Sequence, residues 1–459
     1  MSRLKLIISD LHLANGRAGL DGFGAQQQAA LRGLLRATRP GGPLGSADDV
    51  EFIINGDCFD FLVVRPYLDN GIITPDIALR KWGEIQAAHS VFFEALRDFL
   101  HIPGRHVTFI AGNHDVELAF AEVREAVRRA ICDGDSVPER GLFFCETRCY
   151  RPLPDVYIEH GHHYDFWNNA GEVWDEQGQP RSRQPARLTM PIGTQYFQRA
   201  AYPVSMAYGY FDHLDPSLDS ARQIALLCLF NPPLVMETAQ GALAMLSYPR
   251  VALESLQPGE ERNPARLFEV AMLDFSAFQQ DMMARKPEWQ TIEDWMQAHA
   301  TEPKDPQVEA IAEFYELREA LSLPPIEAVK AILQPRHYVM GESVALGMQS
   351  ILRDDPTLRY AIAGHTHMLR RDTLNGGGQT YLNTATWTKR EYKPAPDDMT
   401  PELAQWLREP WQAASPLQDI TQMVFALVRG EDGQPSTAEL CVWDGGEQGH
   451  YRVLPETKE

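Results

Sequence analysis

Five short polar motifs each follow a short apolar run in this chain, and this arrangement limits its fold more than any other feature. The apolar runs are typical of buried strands, and the first of them is Leu4–Ile8. Parallel strands bring their carboxyl ends to one edge of a sheet, where ligands bind. We therefore predict an α/β fold that collects the five motifs at one edge. In chain order they are Ser9-Asp10-Leu11-His12, Gly56-Asp57-Cys58-Phe59-Asp60, Gly112-Asn113-His114-Asp115, His160-Gly161-His162 and Gly364-His365-Thr366-His367.

Strand and helix patterns alternate before residue 165, which indicates a layered sheet covered by helices. The longest helical stripe is predicted over Ala78–Leu100. From 166 to 339 the pattern is mostly helical, and strands resume after it. We predict a core of 1–165 and 340–459, with 166–339 inserted as a helical cap. A loop at 393–400 precedes a terminal strand pair, Gln422–Val428 with Thr437–Trp443.

The residue types of the motifs are those of a metal centre with oxygen and nitrogen ligands. Residues i and i+2 of an extended segment point the same way, so Asp10 with His12, and His365 with His367, can each face one site. Two ions ~3.5–4 Å apart need a shared ligand, and Asp57 is the carboxylate best placed to bridge them. These ligands suit Mn, Fe, Zn or Co better than Ca. We expect two divalent transition-metal ions and favour Mn.

The five motifs together resemble those of the calcineurin-like metallophosphoesterase superfamily, which are D-x-H, G-D-x-x-D, G-N-H-[DE], H-G-[HD] and G-H-T-H. The resemblance covers roughly residues 1–165 and 340–445. It implies two facing mixed β-sheets flanked by helices, here with the large helical cap. By position, it implies that Asp10, His12, Asp57 and His367 hold one ion, and that Asp57, Asn113, His160 and His365 hold the other.

The resemblance also implies a catalytic pair, since His114 matches the catalytic histidine and Asp60 the carboxylate paired with it. The implied reaction is hydrolysis of a phosphoester or phosphoanhydride. A hydroxide that bridges the two ions would attack phosphorus, and His114 would assist the leaving group. His162 and Asn168 are candidate contacts to the substrate phosphate.

A narrower resemblance points to the bacterial branch that contains UDP-2,3-diacylglucosamine diphosphatases. It rests on Ser-Asp-Leu-His-Leu and on the spacing of His160 to Asp165. Those enzymes usually carry Arg where this chain has His114, and they are much shorter. A pyrophosphatase acting on a nucleotide or a lipid-linked diphosphate is therefore the alternative. The segment Asn383–Trp387 resembles the family's N-T-G-[ST]-W, with Ala385 in the glycine position.

Charge and composition narrow the partners. With Lys+Arg 42 against Asp+Glu 63, the net charge of −21 argues against a nuclease that binds a long nucleic acid and favours a small phosphorylated substrate. Few Lys or Arg flank the apolar stretch Ile224–Leu253, which argues against a membrane surface as partner of the cap. Six cysteines are too sparse for a disulfide scaffold, and we expect a cytoplasmic protein. The oligomeric state is left open.

An alternative of another class is a non-catalytic scaffold with the same fold. Such a scaffold would be expected to lack some ligand or the histidine at position 114. All of these residues are present in this sequence, so an enzyme is the favoured interpretation.

Overall fold

The strands follow the short apolar runs of the sequence. The structure is a computed structural model, and it describes residues 1–459 except 18, 67–70, 133–140, 166, 172, 176, 244–258, 286–305, 335–341 and 456–459. The strands are β1 (Ser2–Ile8), β2 (Asp49–Asn55), β3 (Ile72–Ile73), β4 (Arg105–Ile110), β5 (Leu142–Phe144), β6 (Cys149–Leu153), β7 (Val156–Glu159), β8 (Leu188–Thr189), β9 (Leu214–Asp215), β10 (Tyr360–Ala363), β11 (Leu369–Leu374), β12 (Gln379–Thr384), β13 (Glu391–Tyr392), β14 (Met423–Glu431), β15 (Thr437–Asp444) and β16 (His450–Val453).

β1 lies in the middle of a seven-stranded mixed sheet with the order β16-β15-β14-β1-β2-β4-β5. It pairs in parallel with β2, which pairs in parallel with β4. On its other side, β1 pairs antiparallel with β14. The predicted terminal hairpin is present as the antiparallel pair of β14 and β15. The carboxyl ends of β1, β2 and β4 therefore meet at one edge of this sheet.

A second mixed sheet has five strands in the order β11-β12-β10-β7-β6. β10 pairs in parallel with β7 on one side and with β12 on the other. β6 and β11 are antiparallel to their neighbours and form the two edges. The sequence motifs that begin at His160 and Gly364 thus follow adjacent parallel strands.

The two sheets face each other across a shared apolar core. Ile7 and Ile53 of the seven-stranded sheet are buried in the same cluster as Ile158, Ile362 and Leu382 of the five-stranded sheet. The prediction of two facing mixed sheets flanked by helices is confirmed. Most residues of β1, β2 and β4 are buried, including those that face away from the other sheet. Helices must therefore cover the outer face of this sheet.

The helices differ from the sequence prediction at one named stretch, Ala78–Leu100. They are α1 (Ala25–Ala37), α2 (Pro75–Ala88), α3 (Ser90–Leu100), α4 (Ala121–Cys132), α5 (Ile192–Tyr196), α6 (Tyr202–Ala207), α7 (Ser220–Phe230), α8 (Pro232–Leu243), α9 (Pro264–Arg285), α10 (Pro306–Ala320), α11 (Pro325–Ile332), α12 (Glu342–Asp354) and α13 (Pro401–Arg408). The single helix predicted over Ala78–Leu100 is wrong, because the chain leaves helical geometry at His89 (φ −124°, ψ 38°). The buried His89 ring lies 2.8 Å from Asp21, and this contact compensates for the break.

The chain divides into two compact units. The first comprises Met1–Thr194, Met340–Thr388 and Thr421–Glu459, and the second comprises Gln195–Val339 and Lys389–Ile420. The second unit has its own helical core, in which Tyr208, Leu226 and Phe268 are buried together.

These limits differ from those predicted for the cap, 166–339. The stretch Lys389–Ile420 groups with the second unit because Met399 and Leu407 are buried in its core. The predicted boundary at 339 and 340 lies outside the described residues, as do residues 244–253 of the apolar stretch. The cap as a functional element stays a prediction. Within the described part of the chain, no helix is both long enough and apolar enough to cross a membrane.

Candidate metal centre

The five motifs lie at the carboxyl ends of β1, β2, β4, β7 and β10. This position follows from the parallel pairing within each sheet and from the facing of the two sheets. The side chains fall into three overlapping groups, each with potential ligand atoms within 4.8 Å of one another. The groups are Asp10, His12 and His367; Asp57, His160 and His365; and His12, Asp60 and His114. The structure therefore brings together in these groups all of the predicted His and Asp ligands and the predicted catalytic pair.

In the first group, three ligand-type atoms converge. His367 Nε2 lies 3.3 Å from Asp10 Oδ1 and 3.0 Å from His12 Nε2. Two ligand atoms that each lie ~2.1 Å from one ion, at right angles, are about 3.0 Å apart. The spacing of the two imidazole nitrogens thus fits adjacent ligands of one ion.

Asp57 connects the first group with the second. Its Oδ2 atom is 3.1 Å from His160 Nε2 and 3.9 Å from His12 Nε2. The carboxylate is 1% exposed, and its other oxygen accepts a hydrogen bond from the backbone N–H of His114. A buried carboxylate between two sets of imidazoles is the arrangement that a bridging ligand requires.

Unpaired polar atoms test whether the residues fit a metal. Asn113 is 2% exposed, and its Oδ1 atom has no hydrogen-bond partner. His160 Nε2 also lacks a hydrogen bond, although it lies 3.1 Å from Asp57 Oδ2. An unsatisfied buried polar group costs ~1–3 kcal/mol, and a cation accepting both lone pairs would remove that cost. The donor set therefore fits divalent ions, with Asn113 as a further oxygen ligand.

Hydrogen bonds fix which ring nitrogen of two histidines faces the centre. His12 Nδ1 lies 3.0 Å from Asp60 Oδ2, and His160 Nδ1 lies 2.8 Å from the backbone oxygen of Asn55. In both residues the partner engages Nδ1 and leaves Nε2 for the centre. Such outer contacts commonly orient metal-binding histidines.

His114 is paired with Asp60, as the resemblance implies. His114 Nδ1 is 3.0 Å from Asp60 Oδ1, and the imidazole side chain is 22% exposed. Burial alone would lower the pKa of His114, but the charges of Asp60 and Asp57 outweigh it and raise the pKa to about 10. Without metal ions, the structure therefore favours the protonated imidazole, which can donate a proton.

The buried carboxylates depend on neighbouring imidazoles for compensation. Burial would raise the pKa of Asp57, but the imidazoles of His160 and His114 hold it well below its usual range. Burial would lower the pKa of His160, and Asp57 and Asp10 raise it to about 9 instead. The site thus concentrates negative charge that only cations, either imidazolium or metal, can balance.

Backbone strain marks the same residues. Among the described residues, the non-glycine residues with positive φ are Asp10, His12, Asp57, His365, His367 and Ala385. Five of them are predicted ligands, and left-handed geometry in a non-glycine residue costs of order 1–2 kcal/mol. Strain of this kind persists where surrounding contacts hold it, and it gathers at functional sites.

Two motif glycines make room for ligands from other motifs. A Cβ atom on Gly364 would lie 2.5 Å from Asp10 Oδ2. A Cβ atom on Gly112 would collide with Asp57 Oδ1 and would lie 2.6 Å from the Asp57 backbone nitrogen. These glycines are therefore required for close approach rather than only for a turn.

Asp115, the last residue of the third motif, connects two of the motif loops. Its buried carboxylate accepts hydrogen bonds from Gly112 N at 2.6 Å and from Cys58 N at 2.9 Å. Burial and the charge of Asp57 raise the pKa of Asp115 to about 7. No role for Asp115 follows from the sequence, where its one signal was its place directly after His114.

The segment Asn383–Trp387 holds the first motif from the other sheet. Thr386 Oγ1 and Trp387 N both donate to the backbone oxygen of Asp10, at 2.8 Å and 3.1 Å. Ala385, which takes the glycine position of the resemblance, has φ 56°. Alanine therefore keeps the backbone geometry of this turn.

The two predicted substrate contacts have different surroundings. His162 is 2% exposed, and neither of its ring nitrogens has a hydrogen-bond partner. Burial and the neighbouring imidazoles of His160 and His365 keep the pKa of His162 well below its usual range. Asn168 directs its amide nitrogen to Asp165 Oδ2 at 2.8 Å.

A sequence model of the calcineurin-like phosphoesterase family matches residues 5–196, which include the first four motifs. Residues 5–196 therefore carry a calcineurin-like phosphoesterase domain. This domain supports a phosphoric ester hydrolase, and the His and Asp groups could hold the divalent ions of such an enzyme.

No curated protein matches the chain. Among solved structures, the chain is similar to a dimetal phosphatase from Danio rerio at 11% identity. The similarity covers 98% of each chain, with a TM-score of 0.28.

Proposed function

We propose that this calcineurin-like phosphoesterase hydrolyses a small phosphoester or phosphoanhydride at two divalent transition-metal ions. The observation that carries the proposal is the position of Asp57, whose carboxylate lies against His160 of one ligand group and near His12 of the other. Asp10, His12 and His367 would complete one site, and Asn113, His160 and His365 the other. This assignment supports a dinuclear centre because one buried carboxylate can serve both ions.

The metal ions would lower the pKa of water to supply a nucleophile and would balance charge on the phosphoryl oxygens. Every ligand proposed is an oxygen or an imidazole nitrogen, which suits Mn, Fe, Zn or Co, and Mn remains the preferred prediction. The residues of this chain would place the ions, hold the phosphoryl group between them and move a proton.

His114 is the proposed proton donor to the leaving oxygen. Its side chain is partly exposed, whereas Asp60 beside it is buried. Asp60 engages Nδ1, so the other ring nitrogen is left to face the substrate. A positioned acid of this kind contributes typically ~10²–10⁴-fold to a rate.

The net charge of −21 favours a compact phosphorylated molecule over a long nucleic acid. Three points stay predictions. They are a substrate like that of UDP-2,3-diacylglucosamine diphosphatases, the contacts of His162 and Asn168 with the substrate phosphate, and the cytoplasmic location. The role of the second unit in selecting substrates is a prediction from chain order.

The test is reconstitution of metal-free protein with Mn²⁺, Zn²⁺ or Co²⁺, followed by metal analysis and an activity screen. The screen would include a phosphomonoester, a phosphodiester, a nucleotide pyrophosphate and a lipid-linked diphosphate. We expect two equivalents of metal per chain and metal-dependent release of phosphate or of a phosphorylated product. Absence of bound metal after reconstitution would overturn the proposal.

Asp57→Asn is the decisive variant, because it removes charge from the shared ligand. We expect Asp57→Asn to weaken the binding of both ions. It should also lower turnover more than His367→Asn, which removes a ligand from one group only. If Asp57→Asn retained two equivalents of metal and full activity, the bridging assignment would be wrong.

A further inference from the structure

A carboxylate outside the predicted ligand set contacts one of the proposed ligands directly. Asp165 Oδ2 lies 2.9 Å from His365 Nε2, and both residues belong to the first compact unit. We infer that Asp165 is a positioning residue, which holds the His365 ring so that Nδ1 faces the metal centre. The inference rests on the proposed function, because it assigns a partner to a proposed ligand.

The orientation of His365 is opposite to that of the other two histidines described above. In His12 and His160, the outer partner engages Nδ1 and leaves Nε2 for the centre. In His365, Asp165 engages Nε2 and leaves Nδ1. A carboxylate that accepts the proton of one ring nitrogen fixes the tautomer and makes the other nitrogen a better ligand.

Asp165 is itself held in place by its neighbours. Its Oδ1 atom accepts a hydrogen bond from Trp167 N at 2.9 Å, and its Oδ2 atom accepts one from Asn168 Nδ2 at 2.8 Å. Its backbone nitrogen donates to the oxygen of His162 at 3.1 Å. A residue held by three hydrogen bonds, two of them to its carboxylate, loses little freedom when it binds the imidazole, so the orienting contact is strong.

His365 needs this support because its backbone is strained. Its φ angle is +69°, a conformation that non-glycine residues rarely adopt. Its backbone nitrogen lies 3.0 Å from Asp10 Oδ2 and donates to that carboxylate. Asp10 therefore holds the backbone and Asp165 holds the ring, which together determine where Nδ1 points.

The contact also connects two distant motifs. Asp165 lies five residues after His160, in the turn that follows the fourth motif, whereas His365 belongs to the fifth. One short segment thus supplies a proposed ligand and the partner of another ligand for the same ion. This arrangement accounts for Asn168, whose amide supports Asp165.

The inference is tested with Asp165→Ala, Asp165→Asn and the control Asp175→Ala in the full chain. Asp175 is a carboxylate of the following loop that accepts a hydrogen bond from Gln179 N. Metal-free protein would be titrated with Co²⁺, with calorimetry giving the affinities and visible absorption reporting the ligand geometry. Circular dichroism would check folding, and kcat and KM would be measured at saturating metal.

We expect Asp165→Ala to lower the affinity for one of the two ions ~10–100-fold and to leave the affinity for the other unchanged. Asp165→Asn should lose less, since its amide oxygen can still accept the Nε2 proton. The Co²⁺ absorption should shift in Asp165→Ala and stay unchanged in Asp175→Ala. Saturating metal should restore most of kcat in the folded variants.

Unchanged metal affinity in folded Asp165→Ala would overturn the inference. A raised KM with unchanged metal binding would also overturn it, by showing that Asp165 acts on the substrate. If Asp165→Ala fails to fold, Asp165→Asn decides by the same two readouts. Wild-type protein that binds no metal would instead contradict the proposed function, so the two failures are distinguishable.

Discussion

His12 and His114 lie against the two oxygens of one carboxylate. His12 Nδ1 is 3.0 Å from Asp60 Oδ2, and His114 Nδ1 is 3.0 Å from Asp60 Oδ1. The two rings are nearly perpendicular, with centroids 4.5 Å apart. Because His12 is a proposed ligand and His114 the proposed proton donor, Asp60 would serve both metal binding and proton transfer.

Replacing Asp60 should therefore affect two properties, whereas replacing His114 should affect one. An amide offers one acceptor and one donor side, so Asp60→Asn can accept a proton from only one imidazole. We expect turnover to fall ~10²–10⁴-fold and the affinity of one ion to fall ~10–100-fold. Calorimetric metal titration beside steady-state kinetics would check both effects. Wild-type metal affinity in Asp60→Asn would contradict the shared role.

Gly364 should tolerate no side chain. A Cβ atom at this position would lie 2.5 Å from both Asp10 Oδ2 and Ser9 Oγ, so Gly364→Ala must displace a proposed ligand. We expect weaker metal binding and a lower melting temperature. The matched control is Gly83→Ala, because Gly83 is exposed on α2. A Cβ atom added there would have no atom within 4 Å. That change should stabilise the protein by about 0.5–1 kcal/mol. Equal melting temperatures for the two variants would argue against close approach at Gly364.

The order of the motifs predicted the sheet edge at which the site lies, because the carboxyl ends of parallel strands converge whatever the loops do. The pairing of His114 with Asp60 was implied by the family resemblance instead. The pairing of Asp60 with His12 was not predictable, since it depends on side-chain orientation across two loops. Asp165 was visible only as a spacing from His160. Its contact with His365 spans 200 positions, and no local pattern encodes such a contact.

The fold was predictable where patterning is local and less so where tertiary contacts decide. The stripe of Ala78–Leu100 contains no proline, and the helix continues through Gly83 but breaks at His89, where Asp21 contacts the ring. The stretch Lys389–Ile420 was assigned to the core by chain order. Its apolar residues Met399 and Leu407 pack with the second unit instead.

His213 in the second unit predicts a pH dependence of stability. Burial, together with the nearby Lys389 and Arg390, lowers the pKa of His213 to about 4 in spite of Glu391. The unfolded chain binds a proton near pH ~6.5, whereas the folded chain does so only near its lower pKa. The stability that His213 contributes by staying neutral is therefore fully present above pH ~6.5. It is lost as the pH falls from ~6.5 towards the folded pKa of about 4.

His213→Asn should flatten that dependence. The difference in unfolding free energy between pH 7 and pH 4.5 should shrink by on the order of 1–2 kcal/mol, because the ring is partly exposed and solvent screens it. Thermal unfolding of both proteins across this range, followed by tryptophan fluorescence, would measure the change. Parallel curves for wild type and variant would show that His213 does not contribute.

The role of His114 is separable by the choice of leaving group. If its imidazole protonates the departing oxygen, His114→Ala should lower kcat ~10²–10⁴-fold on an alkyl phosphoester. The loss should be much smaller on a nitrophenyl ester, whose departing oxygen needs no proton. Metal content should remain near that of wild type, because His114 belongs to neither proposed ligand set and contacts the centre through Asp60. An equal loss on both substrates would show that His114 positions the phosphoryl group rather than donating a proton. A loss of metal would place it among the ligands.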